Sequence, residues 1–222
     1  MKLTKSNKVF ICLIGIDGSG KTTLSTELVK FLERKGIKFH YVYNRYTPYI
    51  LRPFMIIANK IFMNKCNFSR NYNNYSAIKK EKIVSHNNLS RIYQLILIID
   101  YYIQTFFRIT IPLKLGTNIV CDRYIYDTVA TDLSVDFNYS KDDIEKVSML
   151  MNRFFPRPDI IFFLDVPEII AYSRKDDLPS IDYLTDRKSA FVILADLFNM
   201  RRLDGTKPID KLIYDIECEL EA

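Results

Sequence analysis

The chain has 222 residues, which is enough for one large α/β domain and makes a split into two domains the less favoured arrangement. Hydrophobic residues make up 48% of the sequence and charged residues 26%, as expected for a globular core with a solvated surface. The net charge of +6 suits a polyanionic ligand such as a nucleotide, but it suits nucleic acid or an anionic membrane equally well.

The N-terminal residues and the cysteines both favour a cytoplasmic protein. Residues 1–8 are basic and lead straight into an apolar strand, without the longer apolar region and cleavage site of a signal peptide. The four cysteines form no Cys-x-x-Cys pair and only two histidines are present, so a zinc site is not expected. This cysteine usage is typical of a reducing cytosol.

The first predicted elements are a strand, a glycine-rich turn and a helix. Residues 9–14 are apolar and predict a strand, whereas residues 23–35 have one apolar stripe and predict a helix. The turn between them matches G-x-x-x-x-G-K-[ST], the phosphate-binding loop, in which small residues let backbone N–H groups surround a phosphate chain. We expect this loop to bind ATP through Gly15, Ile16, Asp17, Gly18, Ser19, Gly20, Lys21, Thr22 and Thr23.

Two side chains of this loop have predicted roles in phosphate chemistry. Lys21 would reach the β- and γ-phosphates, and the hydroxyl of Thr22 would ligate Mg²⁺. The helix that begins near Lys21 would point the positive end of its dipole at the same anion.

A second strand is predicted at residues 37–43, which are rich in β-branched and aromatic residues. Arg45 follows just past its C-terminal end, the edge at which open parallel sheets bind ligands. Arg45 is therefore a candidate ligand-binding residue, and a solvated loop arginine is an equally weighted alternative.

The stretch 49–90 is predicted to be a variable insertion. Residues 49–63 are apolar and indicate a helix after Pro53, which forms either one wall of a substrate cleft or part of the core. Residues 64–90 are dense in Asn, Lys, Ser and Tyr without a period, which predicts a long mobile loop. We favour a solvated loop there over a nucleic-acid surface.

Residues 89–115 form the most apolar segment of the chain. Polar residues interrupt it, including Asp100, Gln104 and Arg108, and charges in the middle of a membrane span are costly. The segment therefore predicts a long helix buried in a soluble core, with no stable membrane insertion. Asp100 and Gln104 share one face, which predicts that this face points at a site or a water-filled cleft.

The third strand, at residues 116–121, ends in Asp122-Arg123-Tyr124. An apolar strand ending in an aspartate is the second metal-side element of phosphate-loop enzymes, so Asp122 would hold a water of Mg²⁺. Arg123 would bridge phosphates, because its planar guanidinium matches their geometry.

The rest of the chain continues to alternate helices with strands, and the residues from 159 to 166 form a continuous apolar run typical of a central parallel strand. Ser140 and Asp143 resemble a capping box within the predicted helix 135–155. The alternation predicts an open parallel sheet with helices on both faces. The other predicted elements are helices near 126–132, 167–175, 183–198 and 209–220, and a strand at 200–203.

Four segments in one order resemble the thymidylate kinase family of nucleoside monophosphate kinases: GIDGSGKT, Asp122-Arg123-Tyr124, FFLDVPEIIAYSRK and LDGTKPIDKL. The resemblance covers nearly the whole chain and is weakest at 49–90. It implies one kinase domain over 1–222 with the three-layer P-loop NTPase fold, about five parallel strands and a short lid near 174–188. The implied activity is MgATP-dependent phosphoryl transfer to a nucleoside monophosphate, dTMP to dTDP first among them, by a homodimer.

The same resemblance implies roles for individual residues. Asp17 would lie near the sugar and phosphate of the acceptor, and Arg45 would bind the acceptor phosphate. Basic lid residues would neutralise the transferring group, the more so because the phosphate loop contains no arginine. The implied catalytic set is Lys21, Asp122, Arg123, Arg174 and Arg187, with Lys175 a further lid candidate.

The chain departs from the family pattern on the acceptor side. Asp127, Thr131 and Asp132 stand where the family pattern D-R-x-x-x-S-x-x-A-Y-Q has Ser, Tyr and Gln. Tyr101 follows Asp100 where the family has an acceptor-side arginine, which removes a bidentate phosphate contact. We therefore expect Asp17, Arg45, Tyr101, Arg123 and Asp127 to line the acceptor site.

Two alternatives to a monophosphate kinase remain open from the sequence. One is a kinase for a nucleoside or another hydroxyl compound, with Asp17 or Asp127 as general base. The other is a non-catalytic protein that binds ATP without transferring its phosphate.

Overall fold

A computed structural model describes residues 8–48 and 87–221 of the chain. Five parallel strands form one sheet in the order β2-β3-β1-β4-β5. The strands are β1 Phe10–Ile14, β2 Phe39–Tyr43, β3 Asn118–Asp122, β4 Ile160–Asp165 and β5 Arg201–Asp204. This arrangement confirms the three-layer α/β P-loop fold predicted from the sequence.

Seven helical segments connect the strands within the described residues. They are α1 Lys21–Arg34, α2 Asn87–Thr105, α3 Ile125–Asp127, α4 Lys141–Phe154, α5 Glu168–Ser173, α6 Ile181–Leu197 and α7 Ile209–Glu221. Helix α2 continues through a wider π turn, Phe106–Thr110, into Ile111–Lys114, and α3 continues through Thr128–Leu133 into Ser134–Asp136. Residues 49–86 of the predicted insertion, including the helix expected after Pro53, lie outside the described residues. Residues 87–90, predicted as part of a loop, instead begin helix α2.

The core consists of two apolar layers, one on each face of the sheet. Central strand β1 is buried throughout, and successive side chains of a strand point to opposite faces. Phe10, Cys12 and Ile14 pack in the larger layer, towards α2, α3, α4 and α6. Ile11 and Leu13 pack in the smaller layer, against α1 and α7.

The helix predicted at 135–155 begins later than expected. The helical continuation of α3 ends at Asp136, and Asn138 then adopts a left-handed conformation with φ 50°. A new helix, α4, begins at Lys141 after Ser140, whose side chain and that of Asp143 form the predicted capping box. The left-handed residue turns the chain, so one long helix over this stretch was the wrong prediction.

The prediction that the long apolar helix is buried was also wrong in part. The stretch Gln94–Lys114 is long and apolar enough to cross a membrane, and only 33% of its most apolar part is buried inside the protein. One face packs in the core through Leu97, Tyr101, Ile109 and Leu113. Another face exposes large apolar side chains, namely Ile92, Leu95, Ile99, Tyr102, Ile103 and Phe107. Helices of soluble proteins pass the same length and composition test, so the stretch is weak evidence for a span.

Candidate active site

The candidate site lies where β1, β2 and β3 end, at the carboxyl edge of the sheet. The phosphate loop follows β1 and places Gly18 and Gly20 in left-handed conformations, with φ 82° and φ 95°. A Cβ on Gly18 would lie 2.1 Å from the carbonyl oxygen of Ala171, so only glycine fits against α5. Helix α1 begins directly after Gly20, as the sequence predicted.

Lys21 folds back along the phosphate loop. Its Nζ donates hydrogen bonds to the carbonyl oxygen of Ile16 at 2.6 Å and to Oγ of Ser19 at 3.1 Å. Burial and the nearby charge of Arg123 lower the pKa of Lys21 to about 8. The lysine is therefore held inside the curve of the loop, where a phosphate chain would replace the loop oxygens as its partners.

Thr22 and Asp122 form a pair of oxygen donors at the start of α1 and the end of β3. Thr22 Oγ1 donates to Asp122 Oδ2 at 2.5 Å, and Tyr41 Oη on β2 donates to the same oxygen at 3.0 Å. The other carboxylate oxygen of Asp122 is buried and has no hydrogen-bond partner among the described residues. Mg²⁺ prefers oxygen ligands and needs few from the protein, so the pair fits a magnesium site. The sequence predicted Thr22 and Asp122 as site residues, but it gave no indication that Tyr41 would contact them.

Arg123 is the centre of a buried ion cluster. Its Nη2 contacts Oδ1 of Asp17, and its Nη1 lies 3.7 Å from Oδ1 of Asp127. Burial opposes ionisation of Asp17, but the charges of Arg123 and Lys21 outweigh it and hold the pKa of Asp17 well below its usual range. For Asp127 burial wins over Arg123 and Lys21, and its pKa rises to about 7. The cluster thus joins three of the predicted site residues.

Helix α6 closes over this cluster through Tyr183. The Oη of Tyr183 donates to Asp17 Oδ2 at 3.2 Å, and burial raises the pKa of this phenol to about 12. Arg187, predicted as a lid residue, is only 6% exposed and stacks on the Tyr183 ring at 3.5 Å from its centroid. Arg187 therefore lies beside the ion cluster, whereas the sequence had no signal for Tyr183.

Arg174 and Lys175, the remaining predicted lid residues, lie elsewhere. Arg174 Nη1 donates to the carbonyl oxygen of Gly205 at 3.0 Å, in the turn after β5. Lys175 Nζ pairs with Asp177 at 3.2 Å on the exposed loop between α5 and α6. In this conformation the basic residues near 174–188 do not converge on the phosphate loop as one group.

Arg45 is brought to the ion cluster from the end of β2. Burial disfavours its charge and so does Arg123, but Asp132 and Asp17 outweigh both and raise the pKa of Arg45. Two guanidinium groups from separate strands therefore face one region that also holds carboxylates. Thr131 does not join them, because its Oγ1 donates to the carbonyl oxygen of Asp127 at 2.7 Å within α3.

Tyr101 does not point into open space, as a direct ligand of the acceptor would. Its side chain is fully buried, and its hydroxyl donates to the carbonyl oxygen of Asn44 at 2.9 Å. Asn44 Nδ2 in turn donates to the Tyr101 hydroxyl at 3.1 Å. Tyr101 thus contacts the loop that carries Arg45, and Asn44 is a residue that the sequence did not single out.

Comparison with known proteins finds similar chains among thymidylate kinases. The chain is 25% identical to a probable thymidylate kinase of Staphylothermus marinus, over 97% of this chain and 96% of that protein. It is 27% identical to a thymidylate kinase of Leptospira borgpetersenii, over 97% of this chain and 93% of that protein. It is 28% identical to a thymidylate kinase of Thermosipho africanus, over 96% of this chain and 98% of that protein. No protein-family model matches the chain.

The phosphate-loop fold and these relatives together define a nucleotide kinase, an enzyme that transfers phosphoryl groups. Within that class the chain is thymidylate kinase-like, as the order of its sequence segments predicted.

Proposed function

We propose that the enzyme transfers the γ-phosphoryl group of MgATP to a nucleoside monophosphate, with dTMP as the first candidate. The observation that carries the proposal is that Asp17 of the phosphate loop forms a buried ion pair with Arg123 and lies within reach of the charges of Lys21 and Arg45. Basic side chains gathered beside a phosphate loop are the groups that bind anionic phosphates. The names of the relatives support dTMP as the acceptor.

On the donor side, the loop N–H groups and Lys21 would hold the β- and γ-phosphates. Thr22 would ligate Mg²⁺ directly and Asp122 through water, with Tyr41 holding one carboxylate oxygen in place. The metal ion would neutralise charge that develops on the phosphate oxygens.

On the acceptor side, Arg45 would bind the acceptor phosphate and Arg123 would bridge it to the transferring group. A phosphate acceptor is already an anion, so this reaction needs no general base. Asp17 would orient Arg123, with which it forms a buried ion pair. Arg187 would approach the transferring group from α6, next to Tyr183. Arg174, at the turn after β5, would contribute through a rearrangement of the loop before α6.

One observation favours a second candidate, a kinase for a nucleoside or another hydroxyl compound. Asp127 is buried beside Arg123, and its raised pKa of about 7 suits a general base near neutral pH. A hydroxyl acceptor needs such a base, whereas a phosphate acceptor would be repelled by the ionised carboxylate.

A coupled assay with MgATP and a panel of acceptors separates the two candidates. The panel contains dTMP, dUMP, dCMP, AMP and thymidine, and Lys21→Ala serves as the control for contaminating kinases. We expect turnover of dTMP that is lost in the control. Turnover of thymidine with inert monophosphates would replace the first candidate with the second, and ADP release without any acceptor product would contradict both.

We also propose that the enzyme works in the cytoplasm as a homodimer. The exposed apolar face of α2 lies near the C-terminal end of α4, because Tyr102 packs edge-on against Phe155, the residue after α4, at 5.4 Å between ring centroids. Helix α4 adds exposed Met149, Leu150 and Phe154. Exposed apolar side chains in such number are typical of an interface between subunits.

Light scattering with size-exclusion chromatography tests this assembly. We expect a dimer for the unaltered chain and a monomer for Leu95→Glu, with Lys30→Glu on the far side of the molecule as the control. Flotation with anionic vesicles instead of dimerisation would show that the apolar face binds a membrane.

A further inference from the structure

The loop after β2 that carries Arg45 has no regular secondary structure, yet its polar groups are bound. Residues 44–48 belong to neither strand nor helix, whereas Asn44 is fully buried. Buried backbone groups outside regular structure need partners from elsewhere, and here helix α2 supplies them. The partners define how firmly Arg45 is held.

Asn44 uses every hydrogen-bonding group that it has. Its backbone N–H donates to the carbonyl oxygen of Asp122 at 3.0 Å, and its carbonyl accepts from Tyr101 Oη at 2.9 Å. Its Nδ2 donates to Tyr101 Oη and to Thr105 Oγ1, both at 3.1 Å. Its Oδ1 accepts from Gln104 Nε2 at 3.1 Å. A fully satisfied buried amide of this kind is costly to displace.

Gln104 binds the loop on both sides of the Arg45 side chain. Its Nε2 donates to the carbonyl oxygen of Arg45 at 2.8 Å as well as to Asn44. Its Oε1 accepts from the backbone N–H of Thr47 at 3.0 Å. One glutamine therefore holds the two peptide groups that follow Arg45 and the side chain of Asn44 before it, and it is itself only 3% exposed.

These contacts bear on catalysis because an arginine binds a phosphate well only when its planar fork is in the correct place. Long side chains on irregular loops lose that precision unless the backbone beneath them is held. The bond from Asn44 to Asp122 also ties the loop to the end of β3, where the metal-side aspartate lies. The acceptor arginine and the magnesium site thus share one rigid frame.

We propose that Gln104 and Asn44 are positioning residues that hold Arg45 against the acceptor phosphate without touching the acceptor. The proposal rests on the proposed function, in which Arg45 binds that phosphate. Substitution of a residue that only supports the fold would lower the stability of the protein, or would change the KM values for both substrates by a similar factor. A positioning residue acts through Arg45 and affects the acceptor selectively.

The experiment compares Gln104→Leu, Arg45→Ala and the double variant in steady-state kinetics, with KM measured separately for dTMP and for ATP. Losing the hydrogen bonds from Gln104 to the loop should raise the KM for dTMP by about ten-fold, the factor that corresponds to one or two net hydrogen bonds. The KM for ATP should change less than about two-fold, within the effect of one weak contact. The double variant should be no worse for dTMP than Arg45→Ala, because Gln104 has nothing left to position.

Two further variants serve as a control and as a substitute for Gln104→Leu. Ser148→Ala is the control, since it removes a hydrogen bond of a buried side chain on α4 outside the loop network, and its dTMP KM should stay near that of the unaltered enzyme. Gln104→Glu keeps the size of the side chain and the acceptor for Thr47 while losing both donors. It should reproduce the selective rise in KM if Gln104→Leu does not fold.

The outcomes separate this proposal from the function on which it depends. An unchanged dTMP KM in Arg45→Ala would overturn the role of Arg45 itself. If Arg45→Ala raises the KM for dTMP but folded Gln104→Leu or Gln104→Glu leaves it unchanged, only the positioning role of Gln104 would be overturned. Equal rises in both KM values, or a double variant in which the two effects multiply, would reduce Gln104 to a structural residue.

Discussion

At the residue scale, Arg123 combines an unusual backbone with a buried charge. Its φ of 71° lies in the left-handed region, which costs a residue with a side chain on the order of 1–3 kcal/mol. Its N–H is held by the carbonyl oxygen of Leu13 at 3.1 Å, and its guanidinium by Asp17 and Asp127. The strained turn directs the side chain back towards the phosphate loop, where the proposed reaction needs it.

The same scale explains why two aspartates of one cluster differ in charge. Asp17 contacts Arg123 closely enough to stay ionised, whereas the 3.7 Å separation of Asp127 from Arg123 leaves its burial dominant. Asp127 therefore gains a proton near neutral pH and Asp17 does not.

Substitution of Lys21 by alanine tests the phosphate-loop assignment. We expect the rate to fall at least about 100-fold, because a charge that stabilises the transferring group is lost. The unfolding temperature should change little, since the lysine makes its contacts only within the loop. Lys30→Ala, on the exposed side of α1, is the control, and a fully active Lys21→Ala would refute the assignment.

The raised pKa of Asp127 predicts a stability that falls with pH. The folded chain keeps the proton on Asp127 up to about pH 7, whereas an unfolded aspartate loses it near pH ~4. Between these values the folded state binds more protons, so raising the pH destabilises it by up to about 1.4 kcal/mol per unit. Urea unfolding at several pH values should show the unaltered chain losing stability relative to Asp127→Asn.

If the difference in stability between the unaltered chain and Asp127→Asn does not vary from pH 4 to pH 7, the folded chain does not hold a proton on Asp127 over that range. Asp142→Asn, at an exposed position in the first turn of α4, serves as the control.

At the scale of elements, helix α2 has two faces with separate tasks. The face with Asp100, Tyr101 and Gln104 is buried against the loop after β2, and Asp100 accepts from Tyr46 Oη at 3.3 Å. This outcome refines the prediction that the polar stripe faces a site, because the stripe holds the loop of the site instead. The opposite face is the exposed apolar surface that we assign to the homodimer.

The start of helix α4 offers a stability test that is independent of catalysis. Ser140 Oγ accepts from the backbone N–H of Asp143 at 3.2 Å, and Asp143 Oδ2 accepts from the N–H of Ser140 at 3.1 Å. Ser140→Ala should destabilise the protein by about 1 kcal/mol, or about 2–4 °C in unfolding temperature. Ser189→Ala, at an exposed serine within α6, should be neutral or slightly stabilising because alanine is the better helix former, and calorimetry compares the two variants.

At the scale of the whole molecule, ligand binding should stabilise the sheet edge on which the site is built. MgATP at one hundred times its dissociation constant stabilises a folded protein by about 2.7 kcal/mol. For a chain of this size that corresponds to a rise in unfolding temperature of about 5–10 °C. The rise should shrink on adding EDTA and nearly vanish in Lys21→Ala, and an equal rise in that variant would place ATP elsewhere.

The parallel sheet and its helices could be predicted because their signals are local. Apolar runs, glycine spacing and helix caps are patterns of residues that are neighbours in the chain. The sequence could therefore predict the phosphate loop, the strand ending in Asp122 and the capping box at Ser140. The start of α4 was misplaced because a single left-handed residue, Asn138, carries too weak a local signal.

By itself, the sequence determined the class of fold, the phosphate loop and the kinase-like order of segments, all of which depend on residues close together in the chain. Only the tertiary structure decided what surrounds the acceptor. Tyr101 meets Asn44 across 57 positions, Tyr41 meets Asp122 across 81, and Tyr183 meets Asp17 across 166. No local pattern encodes such pairs, because the crossovers of the sheet bring them together.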